Sequence, residues 1–298
     1  PSQRLAEVTA VAKSYFLKAF ELGELSAAIN LYYISDDAST IIPYLEQAAD
    51  ADNIQALRIL SEIADSEIKD DYLLKAASLG DLDAMIKVAD FYERGYINGK
   101  SDRRAAINWY QKIITQYPDD PRAYYQMAIT LNSQFPLQPQ LDEIHTYFEQ
   151  AVVLAPQNFE YLARFAQFYN EGYRGYDSPD KSLALYEQII HFDSNEVGVD
   201  NALLLKALLL KNGKSGADGN VNKDEQAANA LFTQILQKYP NDSPVLYELA
   251  DSYHYGKGVP VDEERAITLY TASEYFKANL PLGELLLKSA DLETREKG

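Results

Sequence analysis

Residues 166–190 read AQFYNEGYRGYDSPDKSLALYEQII. Ala166 and Tyr169 stand three apart, and Ser182 and Tyr186 four apart, so each pair shares one face of a helix, with a small residue beside a large one. Gly172 falls where a first helix should end in a left-handed cap, and Ser178-Pro179 supplies an N-cap followed by proline at the first helical position. The stretch reads as two antiparallel helices. Their small side chains let the backbones approach, and the aromatic rings fill the space behind.

The same pattern recurs along the chain. First-helix pairs stand at Ala89 with Tyr92, Ala128 with Leu131, Ala207 with Leu210, and Ala250 with Tyr253; second-helix pairs stand at Ala106 with Tyr110, Ile144 with Phe148, Ala228 with Phe232, and Ala266 with Tyr270. The anchors Phe16, Leu45, Leu73, Tyr110, Phe148, Tyr186, Phe232 and Tyr270 follow one another at 29, 28, 37, 38, 38, 46 and 38 residues. A period near 38, with whole units shortened or lengthened, belongs to a repeat array in which each unit buries its apolar face against its neighbours. The expectation is an all-α fold, an α-solenoid of about seven to eight stacked antiparallel helix pairs. It runs as a single superhelix over 1–298, with shortened repeats at about 5–80, regular repeats at about 81–280 and a C-terminal tail at 281–298. Gly95 and Gly256 repeat the cap of Gly172, Asp120-Pro121 and Ser243-Pro244 repeat the start at Ser178, and the longest interval carries an inserted loop, residues 212–222.

Tyr253-His-Tyr-Gly-Lys-Gly-Val-Pro-Val-Asp-Glu-Glu-Arg-Ala-Ile-Thr-Leu-Tyr270 resembles a Sel1-like repeat, as does the stretch from Tyr92-Glu-Arg-Gly95 to Trp109-Tyr110. Tyr117-Pro-Asp-Asp-Pro121 and Tyr239-Pro-Asn-Asp-Ser-Pro244 are similar to the ends of tetratricopeptide (TPR) repeats. Ser14-Tyr-Phe-Leu-Lys-Ala-Phe-Glu-Leu-Gly23, Tyr117-Pro118 and Gln167-Phe-Tyr-Asn-Glu-Gly-Tyr173 resemble the periplasmic TPR scaffold lipoproteins of bacterial alginate export. That resemblance implies a non-enzymatic, periplasmic, outer-membrane-anchored scaffold whose partners are proteins, such as an outer-membrane porin or a polysaccharide-export component. The sequence departs from that family in having no cysteine to lipidate.

A formal charge of −18 over 298 residues excludes sequence-independent binding to nucleic acid or anionic lipid, which depends on Lys and Arg neutralising phosphate. The absence of cysteine removes disulfides, thiolate metal sites and Cys nucleophiles, and says nothing about redox compartment. The longest apolar run, Ala202 to Leu210, is interrupted by Lys206 and falls well short of the roughly 18–20 residues of a membrane span. Pro1-Ser-Gln-Arg4 lacks a starting Met and an apolar signal core, so it reads as a mature or shortened chain whose targeting segment has been removed.

No constellation points to catalysis, a cofactor or a metal. His145, His191 and His254 lie far apart and none forms an HExxH-type pair. Gly213-Lys-Ser-Gly216 lacks the glycine five residues before its Gly-Lys that a phosphate loop requires. Asp218-Gly-Asn220-Val-Asn222 starts like a calcium loop, but position six is Lys223 and position twelve is Asn229, so a polar surface loop is expected. With 45 acidic residues, adjacent carboxylates such as Asp36 and Asp37 arise from abundance, and read as solvated faces or helix caps. Most of the 23 tyrosines sit at anchor positions and read as core.

First helices build a solenoid's inner wall, and with Ala128, Ala166 and Ala250 setting the register, as in TPR proteins, the face opposite the packing residues holds Arg122, Tyr125, Asn132, Gln167, Asn170, Tyr247, Asp251 and His254. These aromatic and amide groups suit a peptide or a neutral sugar chain. The clustered Lys and Asn with which TPR chaperone adaptors hold a C-terminal carboxylate are missing. The leading expectation is a protein-interaction scaffold in an exopolysaccharide secretion complex; the alternatives are a cytoplasmic Sel1/TPR regulatory adaptor and a carbohydrate-binding module.

Overall fold

The computed structural model describes residues 2–65, 68–97, 99–133, 138–173, 175–192 and 197–296. Sixteen α-helices lie among them: α1 Ser2–Glu21, α2 Ala27–Ile34, α3 Ile42–Asp50, α4 Ile54–Ile63, α5 Lys69–Ser78, α6 Leu82–Arg94, α7 Arg103–Gln116, α8 Pro121–Asn132, α9 Gln138–Leu154, α10 Phe159–Asn170, α11 Pro179–Ile190, α12 Val197–Asn212, α13 Glu225–Lys238, α14 Ser243–Tyr255, α15 Glu263–Ala272 and α16 Asn279–Glu296. The stretch read as a C-terminal tail, 281–298, falls largely within α16. Packing divides the chain into two compact units, Pro1–Gln134 and Phe135–Gly298, and the boundary lies inside the span read as regular repeats. Within each unit consecutive helices pack on one another, α1 through α8 in the first and α9 through α16 in the second. Each unit has α-solenoid architecture. The shortened repeats are visible as helices of 8 to 10 residues from α2 to α5.

The anchors make the core. Leu45, Leu73, Tyr110, Phe148, Tyr186, Phe232 and Tyr270 are all buried, whereas Phe16 is half-buried. Ala89, Ala128, Ala166, Ala207 and Ala250 are fully enclosed, as are Ala106, Ser182, Ala228 and Ala266 and the larger Ile144. These zero-exposure small residues are the points of closest helix approach, where one added methylene would force the helices apart.

Polar chemistry sets the helix ends. Asn53, Asp81, Asp102, Asp120, Asn158, Asp224, Asp242 and Asp262 each accept a backbone N–H of the first turn, a contribution of about 1 kcal/mol apiece. Gly95 and Gly256 close α6 and α14 in the left-handed region at φ 79° and 68°. Two starts differ from the reading. At Ser243-Pro244 the capping residue is Asp242, one position earlier, and Ser178 at the start of α11 is fully buried and makes no capping bond with its side chain. The Tyr-Pro linkers tie a repeat to its predecessor: the Tyr117 hydroxyl donates to the Gly80 carbonyl and the Tyr239 hydroxyl to Asp200.

The insert is an ordered hairpin rather than an open polar loop. Strands β1 (Lys214–Ser215) and β2 (Asn220–Val221) pair antiparallel, and the Asp218 N–H donates to the Asp177 carbonyl just before α11. Lys214 donates to the Asn170 carbonyl at 2.6 Å and pairs with Asp177 at 3.0 Å. Gly216 lies so close to Asp177 that a Cβ would stand 2.0 Å from its carbonyl oxygen, and at Gly219 a Cβ would meet the Asp180 carboxylate. Among the described residues no group of three or more His, Cys, Asp or Glu could hold a metal ion. Nor is any described helix long and apolar enough to cross a membrane.

Candidate partner-binding groove

Helices α10 and α12 are successive first helices of the second unit, and a groove of about 650 Å³ runs between them. On α10, Glu160, Ala163, Arg164, Gln167 and Asn170, with Glu171 at its C-cap, are related by three- and four-residue steps, which places them on one wall. Gly198, Asn201 and Leu205 repeat that spacing on α12, and Tyr186 of α11 lies at the base. Gly198 permits the two helices to close on each other. A Cβ there would stand 2.1 Å from the Phe159 ring.

Hydrogen bonds order the α10 wall. Arg164 Nη1 donates to Gln167 Oε1 at 3.2 Å, and Gln167 Nε2 donates to Glu171 Oε1 at 3.2 Å. One acceptor lone pair and one N–H of the Gln167 amide remain outside these bonds. That is the hydrogen-bonding complement of a peptide unit, which offers one donor and one acceptor per residue.

Of the eight residues read as a binding face, the groove brings together two, Gln167 and Asn170, both exposed. Arg122 is committed elsewhere. Its Nε and Nη2 bond Asp120 at 2.7–3.1 Å, and its Nη1 reaches Asp83 of α6 at 2.9 Å. Burial alone would raise the Asp120 carboxyl, but the hydrogen bonds from Arg122 outweigh it and hold it below the usual carboxylate range. Arg58 of α4 lies 3.4 Å from the same Asp83. The inner edge of the first unit is therefore a ladder of paired charges rather than an open clamp.

Tyr125 is enclosed by the protein itself. It is buried at 5% exposure on the packing side of α8, and Asn132 is half-buried in that helix's last turn. Asp251 is buried too, in an ion cluster: Lys211, 6% exposed, donates to Asp251 and Glu248 at 2.7 Å each, and Lys257 donates to Asp251 at 2.7 Å. Burial would push the Lys211 amine down and the Asp251 carboxyl up; the mutual hydrogen bonds reverse both shifts. Tyr247 packs against Tyr270 and Tyr275, and His254 stacks on Tyr255 at 4.1 Å.

Glu160, Arg164, Asn201 and Leu205 were not among the residues read from sequence, although the signal was present. Glu160 and Arg164 stand six and two residues before Ala166, and Asn201 and Leu205 stand six and two before Ala207. His145, read as unremarkable, sits in an aromatic cluster of the second unit: Nε2 lies 2.8 Å from the Tyr169 hydroxyl and the ring stacks on Tyr176 at 4.9 Å. Burial lowers its pKa and pushes the Tyr169 and Tyr176 hydroxyls up to about 12.

A family model for the Sel1 repeat matches residues 71–81, 82–116 and 243–273, which contain both stretches read as Sel1-like. No curated protein matches it. Among solved structures, a protective antigen of uropathogenic Escherichia coli displaying an SLR fold is similar at a TM-score of 0.66 and 17% identity, over 92% of this chain and 59% of that one. The chain thus spans less than two thirds of that antigen's length. A Sel1 repeat protein from Oxalobacter formigenes is similar at a TM-score of 0.56 and 16% identity, over 91% of this chain and 89% of that one. Both likenesses are likenesses of fold.

Proposed function

We propose that the chain is a non-enzymatic scaffold that holds an extended segment of a partner protein along α10 and α12, within a bacterial envelope complex exporting an alginate-like exopolysaccharide. The observation that carries the binding reading is the groove itself: two parallel walls from successive first helices, amides on each, and the Gln167 amide held in place with one donor and one acceptor unused. The periplasmic setting at the outer membrane, and a partner that is a porin or polysaccharide-export component, rest on the resemblance at 14–23, 117–118 and 167–173. Two residues of the last stretch, Gln167 and Asn170, line the groove. The net charge of −18 opposes direct attachment of an anionic polysaccharide, so the partner is the protein machinery and not the polymer.

The test is capture from envelope and cytosolic fractions by the purified chain and by a Gln167→Ala/Asn170→Ala/Asn201→Ala variant. Retention of an outer-membrane porin or export component, weakened about tenfold or more in the variant, supports the reading. Capture of a cytosolic protein alone transfers the chain to the cytoplasmic adaptors. Saturable binding of a neutral oligosaccharide, lost in the same variant, would make it a carbohydrate-binding module.

A further inference from the structure

Helix α1 is 20 residues long, about 30 Å, and only one side of it is packed. Phe20 is buried edge-on against Tyr44, 5.2 Å between centroids. Away from that contact the helix presents Leu5, Val8, Val11 and Tyr15, with Leu22 one residue beyond the helix, at 55–80% exposure. Leu5, Val8, Ala12, Tyr15, Ala19 and Leu22 follow one another at three, four, three, four and three residues, the a and d spacing of a coiled-coil seam. Ala12 and Ala19 of that row are half-buried, and its four larger members are exposed.

We infer that α1 pairs antiparallel with α1 of a second copy of this chain. The residue sizes select the arrangement. In the register that sets Leu5 against Leu22, Val8 meets Ala19 and Ala12 meets Tyr15, so small side chains oppose larger ones and the layers interdigitate. A parallel pair would stack Ala12 on Ala12 and Ala19 on Ala19, leaving voids, and would crowd Tyr15 against Tyr15.

Charge points to the same surface. Arg4, Glu7, Lys13, Lys18 and Glu21 give α1 a net charge of +1, in a chain whose total is −18, so two copies meet here without adding acidic repulsion. In the antiparallel register Lys18 flanks Val11 of the second copy rather than another lysine. Weighted by exposure, the five exposed side chains leave roughly 600 Å² of apolar surface per copy, and a pair buries on the order of 1,200 Å², the lower edge of a specific interface. The pairing is independent of the α10–α12 groove.

The full chain, studied by size exclusion with light scattering, is expected at twice the monomer mass at tens of micromolar, and a Val8→Glu/Tyr15→Glu variant at the monomer mass with unchanged far-ultraviolet circular dichroism. Both substituted side chains are exposed, so the fold does not depend on them. The absence of cysteine makes oxidative cross-linking clean. Leu5→Cys mixed with Leu22→Cys is expected to cross-link, and Leu5→Cys alone is not, because the two copies of residue 5 lie about 25 Å apart at opposite ends of the seam. A wild-type monomer at all concentrations, a dimer that survives Val8→Glu/Tyr15→Glu, or cross-linking by Leu5→Cys alone would each overturn the inference. So would open-ended growth abolished by Leu287→Glu on α16, whose exposed Leu280 and Leu287 form, with Phe276 just before the helix, a second apolar stripe.

Discussion

Arg122 and Asp83 are 39 residues apart in sequence and 2.9 Å apart in space, and each stands six residues before the packing alanine of its helix, Ala128 and Ala89. Arg58 of α4, 3.4 Å from the same Asp83, extends the row. A repeat protein places equivalent positions side by side, so alternating the charge from one repeat to the next turns a column of equivalent residues into a chain of attractions. All three side chains are about half exposed, which limits each pair to less than about 1 kcal/mol.

Replacing Arg122 with Ala is therefore expected to lower stability by roughly 0.5–1 kcal/mol, with most of the difference gone in 1 M salt. Asp120→Ala removes a helix cap as well as an ion-pair partner, and should cost more, about 1–2 kcal/mol, with the excess surviving salt. Urea midpoints at low and high salt give both values. Equal salt sensitivity for the two variants would contradict the division of roles.

The anchors are not equivalent. Phe232 is fully buried among Ala207, Ala228 and Leu249, and Phe232→Ala is expected to cost about 3–5 kcal/mol through the cavity it leaves. Phe16→Ala, at a half-buried site, should cost no more than about 1–2 kcal/mol. Chemical denaturation of the two variants separates these figures.

His145 makes stability depend on pH. Burial lowers its folded-state pKa below the ordinary 6.5; the carboxylates of Glu149 and Asp142 oppose that shift, and Lys181 adds to it. The unfolded chain then binds the proton first, so stability is retained above pH 6.5 and declines as pH falls below it. The urea midpoint of the wild type should drop between pH 7.5 and 5.5, and that of His145→Phe should drop less. A larger drop in the variant would show the sign to be wrong.

The hairpin's two close glycines should respond differently. At Gly216 the obstruction is backbone, the Asp177 carbonyl and the Pro179 ring, so Gly216→Ala must lift the hairpin from α11. At Gly219 the obstruction is the Asp180 carboxylate, which can swing aside. Amide hydrogen exchange over 214–221 is expected to accelerate about tenfold or more in Gly216→Ala and to change little in Gly219→Ala.

How far the sequence could be read follows from the range of the forces involved. The alanine and aromatic pairs, and the glycines at 95 and 256, announce themselves because helix faces and left-handed caps are local geometry. The hairpin does not: its strands are two residues long and exist because Asp177 and Asn170, more than 35 residues away, receive them. The same holds for the binding face. A helical wheel places Arg122, Tyr125 and Asp251 on one side of their helices, but only the neighbouring repeat decides whether that side meets water, an ion pair or packed side chains. Gln167 and Asn170 line a groove because their neighbour, α12, leaves a gap beside Gly198 and Asn201.

Lys211 is a lysine without a lysine's reactivity. Its amine is shut behind α14 and committed to Asp251 and Glu248, so while the second unit is folded it is both inaccessible and protonated, and amine acylation needs the reverse of each. Modification of this one side chain would therefore count openings of the α12–α14 contact, an internal clock for the unit's breathing that requires no label to be introduced.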